Sequence, residues 1–171
     1  MKSFAIVVAT DDAWGIGKDG DLAWNLPGDM AWFREVTTGS DPENARNTVI
    51  MGRKTWETIP DRFRPLAGRD NIVVSRNREL DVGQEARLVH SFEEALAVPV
   101  AGKCFVIGGG SLYAEALEHP DCRVLYITQV EGDFDCDTQM PVPSAEFVLK
   151  QVQQPVTEAG ITYQITTWKR R

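Results

Sequence analysis

The sequence predicts a single α/β domain built around a mostly parallel sheet, and three observations carry that expectation. Short apolar runs rich in β-branched residues recur at positions 4–8, 48–51, 71–74, 104–107 and 124–127. They are apolar on both faces, as strands covered on both sides must be. Segments with helical spacing lie between them, the alternation that joins parallel strands through crossover helices. The 171 residues are 43% hydrophobic, 25% charged and 9% aromatic, enough for one sizeable core. With no repeat, low-complexity tract or linker, residues 1–171 read as one domain.

In chain order, the run at 4–8 is the first strand. Residues 27–36 place Met30 and Phe33 three apart, and Asp29 and Phe33 four apart, on one helix face. The strand at 48–51 runs into a helix near Trp56-Glu57. After the strand at 71–74, a further strand ends at His90, and Ser91-Phe-Glu-Glu94 matches a capping box ahead of Ala95-Leu96. The strand at 104–107 meets Gly108-Gly-Gly110 and then a helix over 111–117. Residues 162–168 are more mixed and read as an edge or antiparallel strand, with 147–152 as candidate partner. Loops rich in Gly and Asp occupy 10–25, 38–47, 60–68 and 131–143. Several emerge beside strand ends, where open α/β sheets bind ligands.

The net charge of −7 and pI near 4.9 give a field that repels nucleic acid and anionic membrane surfaces, so neither is an expected partner. That charge is uneven. Residues 46–78 carry 8 basic and 3 acidic side chains, whereas 1–45 carry 3 and 8, and 79–171 carry 7 and 14. A cationic island therefore sits inside an acidic chain. Cys104, Cys122 and Cys136 include no C-x-x-C pair and support neither a disulfide framework nor a zinc site. His90 and His119 lack partners at metal spacing, so structural roles and no metal are expected. No apolar run is long enough to span a bilayer and no signal-peptide pattern opens the chain, which makes the cytoplasm the expected location.

Three constellations bear chemistry. In Trp24-Asn-Leu-Pro-Gly-Asp29-Met-Ala-Trp-Phe33 a single carboxylate enters a first helical turn among aromatic and aliphatic residues. Asp29 either complements the helix dipole or stands in an apolar cleft, where desolvation raises its pKa and its oxygens await an amidine-like ligand edge. Gly52-Arg-Lys-Thr55 and Ser75-Arg76 each follow a strand, a setting that suits phosphate as well as a plain solvated basic face. Gly108-Gly-Gly110 joins a strand to a helix and either lets a diphosphate approach the backbone or simply turns the chain. It is not a G-x-G-x-x-G fingerprint, and the acids in 131–137 read as a solvated loop.

Trp24-Asn-Leu-Pro-x-Asp29, Val49-Ile-Met-Gly-Arg-Lys-Thr-Trp56, Pro65-Leu-Ala-Gly-Arg69, Val106-Ile-Gly-Gly-Gly110 and Asp137-Thr138, taken together and in this order, resemble dihydrofolate reductase from about Phe4 to the C-terminus. The resemblance implies a central eight-stranded, mostly parallel mixed sheet with an antiparallel C-terminal strand and about four flanking helices. It implies NADPH-dependent reduction of 7,8-dihydrofolate to tetrahydrofolate, with hydride transfer to C6 and protonation at N5, feeding one-carbon metabolism and thymidylate, purine and glycine synthesis. A monomer is the expected form.

By the same resemblance Asp29 is the carboxylate of the pterin pocket, bonding the 2-amino group and ring N3, and Leu22, Trp24 and Thr128 complete the catalytic group. Val7, Val8, Leu22, Met30, Phe33, Ile59, Leu66, Ile107 and Tyr113 line the substrate pocket. Arg69 pairs with the α-carboxylate of the substrate's glutamate, a natural bidentate fork. Arg53, Lys54, Thr55, Ser75 and Arg76 hold the NADPH phosphates, the last two near the 2′-phosphate. Ala9 and Ile16 touch the carboxamide, and Gly17, Leu22, Gly52, Ile107, Gly108, Gly109, Gly110, Ser111, Leu112 and Tyr113 complete the cofactor contacts. No His or Lys stands out as proton donor, so water entering beside the 15–25 loop is the expected immediate donor. Ala23 and Ala67 stand where the family commonly has Pro, which leaves the loop at Ala23 freer. Ser111 lacks the positive charge of some members, which shifts diphosphate neutralisation to Arg53 and Lys54. The 38–47 stretch is longer than in compact members.

The alternatives are a same-fold reductase of another heterocycle, a module that holds NADPH without turnover, and nucleic-acid binding through the basic island. Arg69 argues against the first because it needs an anionic tail, and the acidic total argues against the last.

Overall fold

Six apolar residues with β-branched centres, closed by Thr10, make up Phe4–Thr10 (β1), a strand that is buried along almost its whole length. The coordinates are a computed structural model that describes residues 3–39 and 45–171; part of the 38–47 stretch lies outside the described residues. After a turn at residues 11–14 the short Gly15–Gly17 (β2) leads to helix Pro27–Thr38 (α1), then Asn47–Gly52 (β3) and the six-residue helix Arg53–Thr58 (α2). Arg69–Val74 (β4) and Ala86–Val89 (β5) follow, with helix Phe92–Ala97 (α3), Cys104–Val106 (β6), helix Gly110–Glu118 (α4) and the long Cys122–Val130 (β7). Thr138–Gln139 (β8), Phe147–Val152 (β9), Val156–Glu158 (β10) and Ile161–Arg170 (β11) complete the chain.

The main sheet runs β10-β11-β7-β1-β6-β3-β4-β5, with β9 also paired to β11. β9 and β10 pair with successive stretches of β11, so nine strands fill eight lanes. From β5 to β7 all neighbours are parallel, and β11 runs antiparallel to β7, as the sequence leads one to expect. A separate two-stranded ribbon pairs β2 with β8. β2, β8 and β10 escape sequence reading because two or three residues are too few to show a period.

Side-chain alternation divides β1 between two cores. Ala5 and Val7 join Val49, Met51, Trp56 and Phe105 beneath α1 and α2, whereas Phe4, Ile6 and Val8 join Leu112, Ala116 and Leu117 of α4 and Phe92 of α3. Each fully buried side chain of this size contributes about 1.5–3 kcal/mol. The connection from β1 leaves through α1 on one face toward β3, and that from β6 leaves through α4 on the other toward β7. Such divergence opens a crevice at the carboxyl ends of β1 and β6. The capping box forms in altered shape: Ser91 Oγ accepts the Glu94 N–H at 3.1 Å, while the Glu94 carboxylate takes the His90 N–H at 2.8 Å.

Candidate active site

Asp29 stands in the first turn of α1 and is only 9% exposed. The Thr128 hydroxyl donates to its Oδ1 at 2.7 Å. Thr128 lies opposite Ala9 of β1 and Ile165 of β11, so the sheet itself fixes the support of the carboxylate. Burial raises the Asp29 pKa above the usual carboxylate range, the Thr128 bond draws it back, and the Glu158 carboxylate pushes it up again. Its second oxygen has no hydrogen-bond partner among the described residues and borders a cleft of about 500 Å³. Leu22, Trp24, Leu26 and Met30 line that cleft with Asp29. The Trp24 indole packs edge-on against Phe134 at 5.4 Å between centroids, and its buried N–H has no partner among the described residues. One carboxylate among apolar walls suits a flat heterocycle with a donor edge.

Arg69 is 5% exposed and makes no ion pair among the described residues. Its Nη1 donates to Thr37 Oγ1 at 2.9 Å, its Nε to the Ala67 carbonyl at 3.0 Å, and it lies 6.0 Å from the Phe33 ring centroid. Thr37 is held in turn by donating to the Phe33 carbonyl, one helical turn back. Buried Asn71 clamps the approach: its Oδ1 accepts the Leu66 N–H at 2.8 Å and its Nδ2 donates to the carbonyls of Leu66 and Arg69. Burial and the neighbouring Arg34 charge both lower the Arg69 pKa, so an anion at this guanidinium relieves two penalties.

Across the crevice, the Gly108-Gly109 peptide is cis and the Gly108 carbonyl accepts the Gly52 N–H at 2.8 Å. Gly108 has φ +142, and a Cβ there would stand 2.8 Å from Thr55 Oγ1, so only glycine leaves the two strand ends this close. Gly110 lies beside Ile16 of β2 and Thr138 of β8.

The loop that walls the cleft is tied down by acids. Burial pushes the Asp11 pKa upward, but the N–H groups of Phe134, Gly15 and Ala13 and the Cys136 thiol outweigh it and leave it lowered. Asp12 accepts the Gly132 N–H at 2.9 Å, and exposed Asp137 accepts the Asp19 N–H at 2.9 Å. The 131–137 acids are therefore not merely a solvated loop, because Asp137 fastens the 18–21 turn beside the cleft.

Comparison with known proteins decides the family. The family model described as dihydrofolate reductase matches residues 3–170. The chain belongs to the dihydrofolate reductase family. It is 43% identical to the bifunctional dihydrofolate reductase-thymidylate synthase of Daucus carota and 38% identical to that of Glycine max, in each case over 99% of this chain. It spans about a third of those proteins, 34% of each. It is also 34% identical to the dihydrofolate reductase of Heliothis virescens, over 96% of both chains.

Against the expectations for this family, the structure brings Leu22, Trp24, Asp29 and Met30 together in the cleft and sets Thr128 behind Asp29. Val7, Phe33, Ile59, Leu66 and Ile107 share the adjoining apolar cluster. Val8, Leu112 and Tyr113 are buried in the core cluster that α4 covers, the same cluster against which Ile16 packs. The Tyr113 hydroxyl donates to the Val7 carbonyl at 2.9 Å and stands 3.6 Å from where a Cβ at Gly108 would lie. Ser75 is buried, and its carbonyl accepts His90 Nδ1–H at 2.9 Å. Arg76, Lys54 and Ser111 are exposed, Thr55 is half-buried, and Arg53 pairs with Glu57 at 3.1 Å. Ala9, Ile16, Gly17 and Gly109 stand at the strand ends around the crevice, partly exposed. Thr37, Asn71 and Glu158 shape the site without having stood out in the sequence, and Asp137 stood out only as part of a motif, without its tether to Asp19. Their signal is spatial, since each acts on an element distant in the chain or through a turn.

Proposed function

We propose that this chain reduces 7,8-dihydrofolate to tetrahydrofolate with NADPH as reductant. The buried Asp29 carboxylate, held by Thr128 and facing an apolar cleft with its second oxygen free, carries the reading; family membership sets it in context. The substrate's 2-amino group and ring N3 offer two donors to one carboxylate, and the cleft walls Leu22, Trp24 and Met30 cover the ring faces. Trp24 lines the same cleft as the carboxylate, and water entering beside the 15–25 loop would serve the protonation at N5. Arg69 takes the α-carboxylate of the glutamate tail, with Phe33, Ile59 and Leu66 packing the segment between.

NADPH, when bound, supplies the hydride to C6. The residues present fit it: glycine is required at Gly108, the start of α4 leaves backbone N–H groups free, and Lys54 and Arg76 stand without ion-pair partners among the described residues. Arg53, Lys54 and Thr55 would hold the diphosphate, and Ser75 and Arg76 the 2′-phosphate. Ala9, Ile16 and Gly110 would border the nicotinamide. Val8 and Leu112 would contribute backbone atoms, and Tyr113 its hydroxyl end beside Gly108. In this reading the working unit is the single domain 1–171, a cytoplasmic monomer. No helix among the described residues is long and apolar enough to cross a membrane.

The test is the loss of NADPH absorbance on addition of dihydrofolate to the purified protein. Turnover in the wild type and its severe loss in Asp29→Asn at neutral pH are expected; NADPH binding without folate-dependent oxidation would overturn the reading.

A further inference from the structure

Helix α1 begins without a cap of its own. Leu26 at the N-cap position offers no side-chain acceptor, yet this is the turn that holds Asp29. The missing acceptor arrives from the far end of the chain. The Gly28 N–H donates to Glu158 Oε1 at 3.0 Å and to Oε2 at 3.2 Å, and the Tyr163 hydroxyl donates to Glu158 Oε1 at 2.6 Å. Glu158 ends β10, and the two-residue turn to β11 has positive φ at both Ala159 and Gly160, the geometry of a tight type I′ hairpin. The carboxylate is thus fixed by a rigid hairpin and a buried tyrosine, since Tyr163 is 3% exposed.

Fit at Gly28 is close. A Cβ there would stand 2.7 Å from Tyr163 Oη and nearer still to Glu158 Oε1. Asp29 is the next residue, so any shift of this cap moves the site carboxylate directly. We propose that Glu158 is a positioning residue of the folate site, capping the first turn of α1 from the β10–β11 hairpin and setting both the place and the charged neighbourhood of Asp29. The inference rests on the proposed reduction of dihydrofolate only for its kinetic consequence.

The groups that face Asp29 are Thr128 from β7, Glu158 from β10 and Tyr163 from β11; Asp21 lies on the cleft wall. Among them Glu158 adds the like charge that opposes ionisation of Asp29. Glu158→Gln keeps an acceptor for Gly28 and a partner for Tyr163 but removes that charge. In the ligand-free protein, carbon-13 NMR titration of the Asp29 carboxyl, identified by its absence in Asp29→Asn, is expected to move to lower pH in Glu158→Gln. Steady-state kinetics are expected to show a rise in KM for dihydrofolate, with kcat/KM down roughly tenfold in Glu158→Ala. Tyr163→Phe, which removes only the hydroxyl that holds Glu158, is expected to raise KM in the same direction by less. An unchanged Asp29 titration in Glu158→Gln, or wild-type KM in both Glu158→Ala and Tyr163→Phe, would overturn the proposal. The titration needs no turnover, so a wild-type protein that failed to reduce dihydrofolate would refute the activity and leave this test standing.

Discussion

Asp29 is held in a state that folding disfavours. Its pKa is raised above the ordinary 3.8 chiefly by burial, so the folded protein binds a proton more tightly at this site than the unfolded chain does. Stability from this group is full below pH 3.8 and is lost as pH rises toward the raised value. Asp29→Asn keeps the shape and an acceptor for Thr128 without that pH-dependent loss. It is therefore expected to melt at a higher temperature than the wild type near pH 7, with the difference closing below pH 3.8, as thermal unfolding at the two pH values will show. Turnover in the same variant is expected to fall on the order of 10²-fold or more, the scale on which an aimed electrostatic group acts. The stretch around Asp29 alone leaves a helix-dipole acid open, and it is the ordered family motifs that give this residue a part in a pocket. Arg69 was legible through its motif, but not the reason it stays ordered. That reason is Thr37, which accepts from the guanidinium, and Asn71, which holds the Arg69 backbone carbonyl, two polar residues that look ordinary in helix and strand until the fold buries them.

The elements that carry the core were readable because β1, β3, β4, β6 and β7 bury both faces and so leave unbroken apolar runs. The ribbon β2-β8 was not, since it is held by loop acids more than by apolar pairing. Its tether makes the 18–21 turn separable from the core. Asp137 accepts the Asp19 N–H, and that bond holds the Asp137 pKa below the usual range. A lowered folded pKa means that the tether is fully present above the ordinary carboxylate value and is lost as pH falls through the folded one. Asp137→Ala is expected to speed hydrogen exchange at the Asp19 amide while leaving exchange in β1 and β7 unchanged. If the turn covers the bound ligands, KM rises several-fold with the melting temperature nearly constant. Unaltered exchange at Asp19 would show that other contacts hold the turn. Ala23 belongs to the same segment: its φ is free where a proline would fix it, so Ala23→Pro is expected to slow the exchange of the loop amides.

Net charge describes the whole molecule poorly. Within the −7 total, residues 46–78 carry a +5 balance, and three of its cations, Arg53, Lys54 and Arg76, follow the carboxyl ends of β3 and β4, whereas Arg46 and Arg69 stand at their amino ends. Sheet order produces that gathering: β3 and β4 are parallel neighbours, so Arg53 and Lys54 after β3 and Arg76 after β4 emerge at the same edge. No sequence pattern encodes strand order, which is why the charge arithmetic alone left a solvated basic face open as an alternative. If this edge reads the 2′-phosphate through Arg76, the cofactors NADPH and NADH should respond differently to its loss. Arg76→Ala is expected to weaken NADPH roughly tenfold, as removal of a charge-assisted phosphate contact does, and to leave NADH nearly unchanged. Salt should separate the two as well. Exposed charges are screened over about 8 Å at physiological ionic strength, so raising salt weakens NADPH binding more in the wild type than in Arg76→Ala. Fluorescence titration of both nucleotides at two salt concentrations makes the comparison within one experiment. Equal losses for NADPH and NADH would remove Arg76 from the 2′-phosphate site and leave cofactor choice to Ser75, Arg53 and Lys54.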